Sequence, residues 1–190
     1  MRDTEADQPA DVDGEALRRV MRRVPSPVTV VTAGGVDGPR GITIGSFTSV
    51  SLDPPLVSFN LDKAAQMHAQ LEEDFDRFAI HILTDRQAHL SNHFAVPDQS
   101  SEAQFADVDY HLDAHGTPLL RSAIAVLHCD LYARYPAGDH TIVVGAVREV
   151  AYAAEAGRPL LYFDRRYCSV GEEVTFSLFS PVNRESSDAP

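Results

Sequence analysis

Arg40-Gly41-Ile42-Thr43-Ile44-Gly45-Ser46-Phe47-Thr48-Ser49-Val50-Ser51-Leu52-Asp53-Pro54-Pro55-Leu56-Val57-Ser58-Phe59 is the stretch on which the fold turns. Its β-branched and aromatic residues predict a strand over 40–51, a break at Pro54-Pro55, and a second strand over 56–61. A strand needs apolar residues on one face. It does not need Thr43, Ser46, Thr48, Ser49 and Ser51 so close together. Hydroxyls and main-chain N–H groups at this density suit a ligand rich in acceptors, such as a phosphorylated cofactor. An edge strand with its Ser and Thr residues in water would read the same way, so the remaining chain has to decide.

The chain of 190 residues suffices for one domain with a full core. A hydrophobic fraction of 44% and a charged fraction of 23% are those of an ordinary water-soluble protein. No apolar run approaches the roughly 20 residues needed to cross a bilayer, and the first residues lack a secretory core, so a cytoplasmic location without membrane association is expected. The net charge of −12 argues against a nucleic-acid partner, which requires clustered cations. Lys63 is the only lysine. Cys129 and Cys168 form no CxxC pair, so neither a disulfide scaffold nor a zinc ribbon is expected, and both read as buried small hydrophobes.

Working outward, residues 1–12 are polar and acidic and are expected to be disordered. Asp13 is a plausible helix cap, followed by Leu17, Val20, Met21 and Val24 on one helical face that Pro25 ends. Residues 28–33 form a strand that turns back through Gly34–Pro39 into the quoted stretch. Residues 63–73 read as a helix with Met67 and Leu71 four apart, 78–83 as a strand, 85–95 as a second helix and 98–118 as a loop holding an apolar cluster of Phe105, Val108, Tyr110 and Leu112. Strands follow at 123–135, 140–151 and 160–163, the first two joined by Pro136-Ala137-Gly138-Asp139. Many strands with few short helices predict a mainly β fold, closed or nearly closed as a barrel. Residues 13–171 make the domain. Residues 172–190 are an extension in which Val174–Phe179 could pair with a neighbour and 183–190 are unstructured.

No GxGxxG follows a strand, and neither a P-loop nor a nucleophile elbow is present. His89 and His93 are spaced as metal ligands can be, but no third ligand supports them, so a solvated helix face is expected and no metal is implied. His111 and His115 read likewise as polar-loop residues. Gly138-Asp139-His140 reads as a turn feeding an apolar strand. It places His140 at a rim where ligands enter, either as a bare turn residue or as a ligand contact. Arg165, Arg166 and Tyr167 could grip a phosphate or stack on a planar ring, or simply decorate a surface hairpin.

These pieces occur together in one order. Gly41–Val57, Phe78–Leu83 with Leu90-Ser91-Asn92-His93-Phe94-Ala95, Gly116-Thr117-Pro118-Leu119-Leu120, Gly138–Val147, Pro159-Leu160-Leu161-Tyr162 and Arg166-Tyr167 resemble the flavin reductase-like, FMN-binding split β-barrel family. That family includes the reductase components of two-component flavin monooxygenases. The resemblance implies an α+β fold, mainly β, with a Greek-key-like barrel of six to seven strands, and NAD(P)H-dependent reduction of FMN or FAD. It further implies that Ile44, Gly45, Ser46, Phe47 and Thr48, with Val50 and Ser51, wrap the flavin ring and ribityl chain. The segment of Lys63, Ala65, Gln66 and Met67 would hold the phosphate at a helix N-terminus. His140 would lie beside the nicotinamide of NADH or NADPH, which Arg166 and Tyr167 help to hold. A homodimer and a transient monooxygenase partner are implied as well. This chain departs from the family pattern twice: Lys63-Ala64-Ala65-Gln66-Met67 lacks the usual Ser or Thr, and His81 stands where Asn is common. Two other readings stay open: a flavoprotein that keeps its flavin and acts on an organic substrate, and a non-catalytic flavin carrier.

Overall fold

A computed structural model describes residues 12–35, 38–73, 76–153 and 157–172. The N-terminal tail before Val12, the Val174–Phe179 run and the expected disorder of 183–190 lie outside the described residues. The elements in order are α1 (Gly14–Met21), β1 (Ser26–Pro27), β2 (Thr29–Ala33), β3 (Arg40–Ile44), β4 (Thr48–Leu52), β5 (Pro55–Asp62), α2 (Gln66–Glu73) and β6 (Arg77–Ile82). They continue with α3 (Ala88–Phe94), α4 (Ser101–Phe105), β7 (Tyr110–Leu112), β8 (Pro118–Leu120), β9 (Ala125–Ala137), β10 (His140–Tyr152), β11 (Leu160–Phe163) and β12 (Arg166–Ser169). The fold is mainly β with a few short helices. Its main sheet has seven strands in the order β3-β2-β6-β9-β10-β5-β4, every neighbour antiparallel. Smaller sheets of β1-β11-β12 and β7-β8 flank it.

The quoted stretch departs from its expected form. Residues 40–51 are two strands, not one, and they occupy opposite edges of the main sheet. Gly45-Ser46-Phe47 breaks the run, and the Ser46 hydroxyl accepts a hydrogen bond from the Asn60 N–H at 2.9 Å, which pins the bend to β5. The break arises because β3 pairs with β2 whereas β4 pairs with β5, two partners that pull adjacent residues apart. Periodicity cannot see this, since both halves are equally β-prone.

Two cores sit on either face of the main sheet. Val31, Phe59, Leu61, Met67, Leu71, Phe78, Ile80 and Val143 pack under α2. Val28, Val30, Leu83, Phe94, Phe105, Leu120 and Leu160 pack among α3, α4 and the small sheets. Val30 and Val31 are neighbours on β2 that face opposite ways, which explains why that strand is buried throughout. Gly145 fits here because a Cβ would lie 2.5 Å from Cζ of Phe78 and 3.1 Å from Cβ of Cys129. The Phe78 ring cannot yield easily, being buried edge-on against Phe59 at a centroid distance of 5.6 Å. Gly145→Ala is therefore expected to cost about 1–3 kcal/mol, seen as a lower urea midpoint at unchanged m-value. An unchanged midpoint would show that Phe78 can move aside.

Local signals perform well elsewhere. Asp13 caps α1 as expected, its side chain accepting from the Ala16 N–H, and Met67 and Leu71, four apart on α2, are both buried. Three expectations fail. Cys168 is exposed, because it alternates outward on the two-faced hairpin strand β12, whereas Cys129 is buried. The 98–118 region is not plain loop: Ser100 caps α4 through the Ala103 N–H, and β7 pairs with β8. Leu112 remains exposed while Phe105, Val108 and Tyr110 join the second core. His93 is also half-buried, its Nε2 2.7 Å from the Gln104 carbonyl, rather than on a wholly solvated face.

Candidate functional site

Two clefts meet along β3 and share Thr43 and Ala95. The smaller, about 300 Å³, is lined by Arg40, Thr43, Ala64, Ala65, Gln66 and Gln99 among others. The larger, about 440 Å³, is lined by Ile44, Gly45, Asn92, Tyr162, Arg165 and Tyr167 among others. Together they form a groove that runs from the N-terminus of α2 across β3 to the β11–β12 hairpin.

The groove is held by bonds between distant segments. The Thr43 hydroxyl donates to the Ser91 carbonyl at 2.7 Å, which fastens β3 to α3. The Tyr167 hydroxyl lies 2.8 Å from the Ser91 hydroxyl and donates to Asn92 Oδ1 at 3.0 Å. Tyr162 meets Tyr167 edge-on at 5.3 Å, so one face of the hairpin is aromatic. Asp164 and Arg165 occupy the left-handed region at φ 46° and 64°, giving a tight turn that swings the Arg165 side chain toward the larger cleft. Arg165 was read together with Arg166, yet Arg166 is exposed on β12 and lines neither cleft.

At the rim, His140 opens β10 opposite Asp62 of β5. Its Nδ1 lies 2.7 Å from Asp139 Oδ1. The hydrogen bond to His140 and then its charge hold the Asp139 carboxyl below the usual range. Since the carboxylate can only accept, Nδ1 carries the proton and Nε2 is left for a ligand. Lys63 braces this tip from the side, its ammonium donating to the Gly138 carbonyl at 2.6 Å and its backbone N–H to the Asp139 carbonyl at 3.0 Å. Ser46 touches β5 at Asn60 and His140 pairs with Asp62, which separates the two contacts by roughly 7 Å along the strand.

Of the residues expected at a site, Ile44, Gly45 and Tyr167 line the larger cleft and Ala65, Gln66 and Met67 the smaller, Met67 with its side chain in the core. Lys63, His140 and Ser46 stand at the β5–β10 rim. Phe47 is half-buried against the first core, and Thr48, Val50 and Ser51 lie on the edge strand β4. Arg40, Gln99, Asn92 and Tyr162 were not expected there, whereas Arg165 stood among the candidates. Arg40 had one visible signal, being the only basic residue of the stretch 40–59. Among the described residues no group of three or more His, Cys, Asp or Glu could hold a metal. No helix among them is long and apolar enough to cross a membrane.

Residues 21–171 match the family described as flavin reductase like domain. The chain is 37% identical over 152 residues to a flavin reductase of Pseudomonas putida, a match covering 80% of this chain and 87% of that one. It is 38% identical over 154 residues to the reductase component of 4-hydroxyphenylacetate 3-monooxygenase of Thermus thermophilus, covering 80% and 94%. Among solved structures it resembles an NADH:FAD oxidoreductase of Streptomyces globisporus in complex with NAD and FAD fragments. That likeness has a TM-score of 0.77 and 39% identity, covering 86% of this chain and 96% of that one.

Proposed function

Since the chain belongs to the flavin reductase-like family, we propose that it is an NADH-dependent flavin reductase that supplies reduced FMN or FAD to a partner monooxygenase. The observation that carries this reading is the groove itself: β3, the start of α2 and the β11–β12 hairpin, far apart in sequence, line one continuous trough. Its chemistry suits a flavin. It has a guanidinium at one end, uncrowded main chain at Gly45, and aromatic rings at the other end.

Bound flavin supplies the electron-accepting ring, so the protein needs no strong acid or base of its own. The chain's task is positioning. Ile44 to Thr48, with Val50 and Ser51 beyond, present main-chain and hydroxyl groups to the ring and ribityl chain, and the Ala64–Met67 segment takes the phosphate end. His140 offers Nε2 to the carboxamide of the nicotinamide, which contains both a donor and an acceptor and so suits either protonation state of the imidazole. Tyr167 and Arg165 of the Asp164-Arg165 turn, with Arg166 beside it, hold the rest of that nucleotide.

The architecture belonging to this reading is a split barrel over residues 13–171. The edges of a flat seven-stranded sheet would lie about 29 Å apart, whereas the chain from Ile44 to Thr48 reaches at most about 15 Å, which supports a sheet curled so that β3 and β4 approach. A homodimer is part of the reading too. Leu17, Val20 and Met21 on α1, with Val24 just past its end, are apolar and exposed in the single chain, and a second copy would cover them. The co-substrate NADH is a cytoplasmic reductant, which fits a cytoplasmic location.

Mixing the protein with NADH and FMN under argon tests the reading. Loss of flavin absorbance over many turnovers is expected, and the same assay with FAD and NADPH ranks the substrates. No bleaching with any pair would overturn the reductase and leave a carrier.

A further inference from the structure

We propose that Arg40, not Lys63, supplies the positive charge that binds the flavin phosphate, while Lys63 serves to lock the hairpin tip that carries His140. This rests on the flavin reading above.

The segment taken to meet the phosphate carries no hydroxyl, since Ala64 and Ala65 stand there. Lys63 does not stand in for one. Its ammonium is spent on the Gly138 carbonyl, and the residue does not line the smaller cleft. Arg40 does line it. It opens β3 opposite Ala33, and one of its terminal nitrogens, Nη1, donates to both Gln66 Oε1 and the Gln99 carbonyl, each at 2.6 Å. Both partners are neutral. Arg22, Arg77, Arg148 and Arg158 each pair with a carboxylate, whereas Arg40 forms no ion pair among the described residues.

This half-buried guanidinium is anchored through one nitrogen, and among the described residues Nε and Nη2 have no partner, which leaves the fork that matches two phosphate oxygens. Because Gln66 and Gln99 already fix the side chain, little rotamer entropy is lost when the anion arrives. Asp62 and Asp98 also border the cleft. Asp62 Oδ1 accepts from the Ala64 N–H at 2.8 Å, and neither carboxylate is within ion-pair distance of Arg40. The cation is thus placed but not neutralised, which is what an incoming dianion requires.

Comparing FMN with riboflavin isolates the phosphate, because the two differ only there. Dissociation constants are measured by quenching of flavin fluorescence for the wild type, Arg40→Gln, Arg40→Lys and Lys63→Gln. Arg40→Gln is expected to weaken FMN by about ten- to hundredfold and riboflavin by less than about twofold. Arg40→Lys should recover part of the loss. Lys63→Gln should leave the FMN-to-riboflavin ratio unchanged and raise KM for NADH instead. Should Arg40→Gln fold poorly, Arg40→Lys set against Lys63→Gln carries the test: the first is expected to lower the FMN-to-riboflavin affinity ratio and the second to leave it unchanged. Equal weakening of both flavins, or of neither, overturns the assignment of Arg40 alone. A wild type that binds neither flavin overturns the flavin reading and this assignment with it.

Discussion

Replacing His140 with alanine should raise KM for NADH by about ten- to hundredfold while leaving flavin Kd within about twofold. The asymmetry follows from where the imidazole stands. His140 is held at the β9–β10 tip by Asp139 on Nδ1, and Lys63 braces the same tip through two bonds to Gly138 and Asp139. A pre-oriented Nε2 loses little entropy in meeting a carboxamide, so its loss falls on nicotinamide binding. The flavin groove lies along β3 and α2, and His140 lines neither of its clefts. Steady-state kinetics at saturating flavin, alongside a fluorescence titration, separate the two effects. An unchanged KM, or equal loss of NADH and flavin binding, would show that His140 is only a turn residue. His140→Asn should recover part of the affinity, because an amide still offers both a donor and an acceptor.

The second large effect is acid lability centred on His81. This side chain is fully buried, its Nδ1 3.0 Å from the Val30 carbonyl, and the Leu120 N–H donates to Nε2 at 3.0 Å. A donor aimed at Nε2 means that nitrogen carries no proton, so the ring is neutral with its hydrogen on Nδ1. Burial lowers its pKa from 6.5 to about 4, opposed by the bond to Val30. Protonation would also set Nε2–H against the Leu120 N–H. The sign is fixed by linkage: above 6.5 the ring is neutral both folded and unfolded, and below it only the unfolded chain takes the proton. Stability is therefore lost as pH falls from 6.5 towards 4, by about 3 kcal/mol in all.

A carboxylate effect falls elsewhere on the scale. Burial pushes the Asp113 carboxyl up, but bonds from the Thr117 and His115 N–H groups more than offset it, so it lies below 3.8. Its stabilisation is lost only at still lower pH. Urea unfolding at several pH values on the wild type and His81→Asn tests this. The wild type should lose stability steeply between the two His81 values, and the variant, starting lower, should show a shallower slope. Parallel slopes would mean that His81 is not the titrating group.

His81 also shows how far the sequence reaches. Its departure from the family pattern was visible, but not its consequence, because the Val30 carbonyl and the Leu120 N–H are 51 and 39 residues away. The same holds along the groove. The Gly138-Asp139 turn and the Asp13 cap follow from chemistry within a few residues, so they were legible. That Arg165 rather than Arg166 lines the cleft depends on a left-handed turn whose two residues, Asp164 and Arg165, give no glycine to mark it.

By itself the sequence determined most element types outside 98–118, the mainly β class, the hydroxyl-rich stretch and the family, because periodicity, turn residues and ordered motifs are carried by neighbours in the chain. Tertiary structure alone decided that Arg40–Ser51 divides at Gly45 into strands on opposite sheet edges, that Lys63 turns to a hairpin 75 residues away, and that Arg40 faces the groove. Each of these follows from strand register. Pairing between distant segments sets which side chain of a β-prone run points where, and a strand carries no local record of the partner that will fix it.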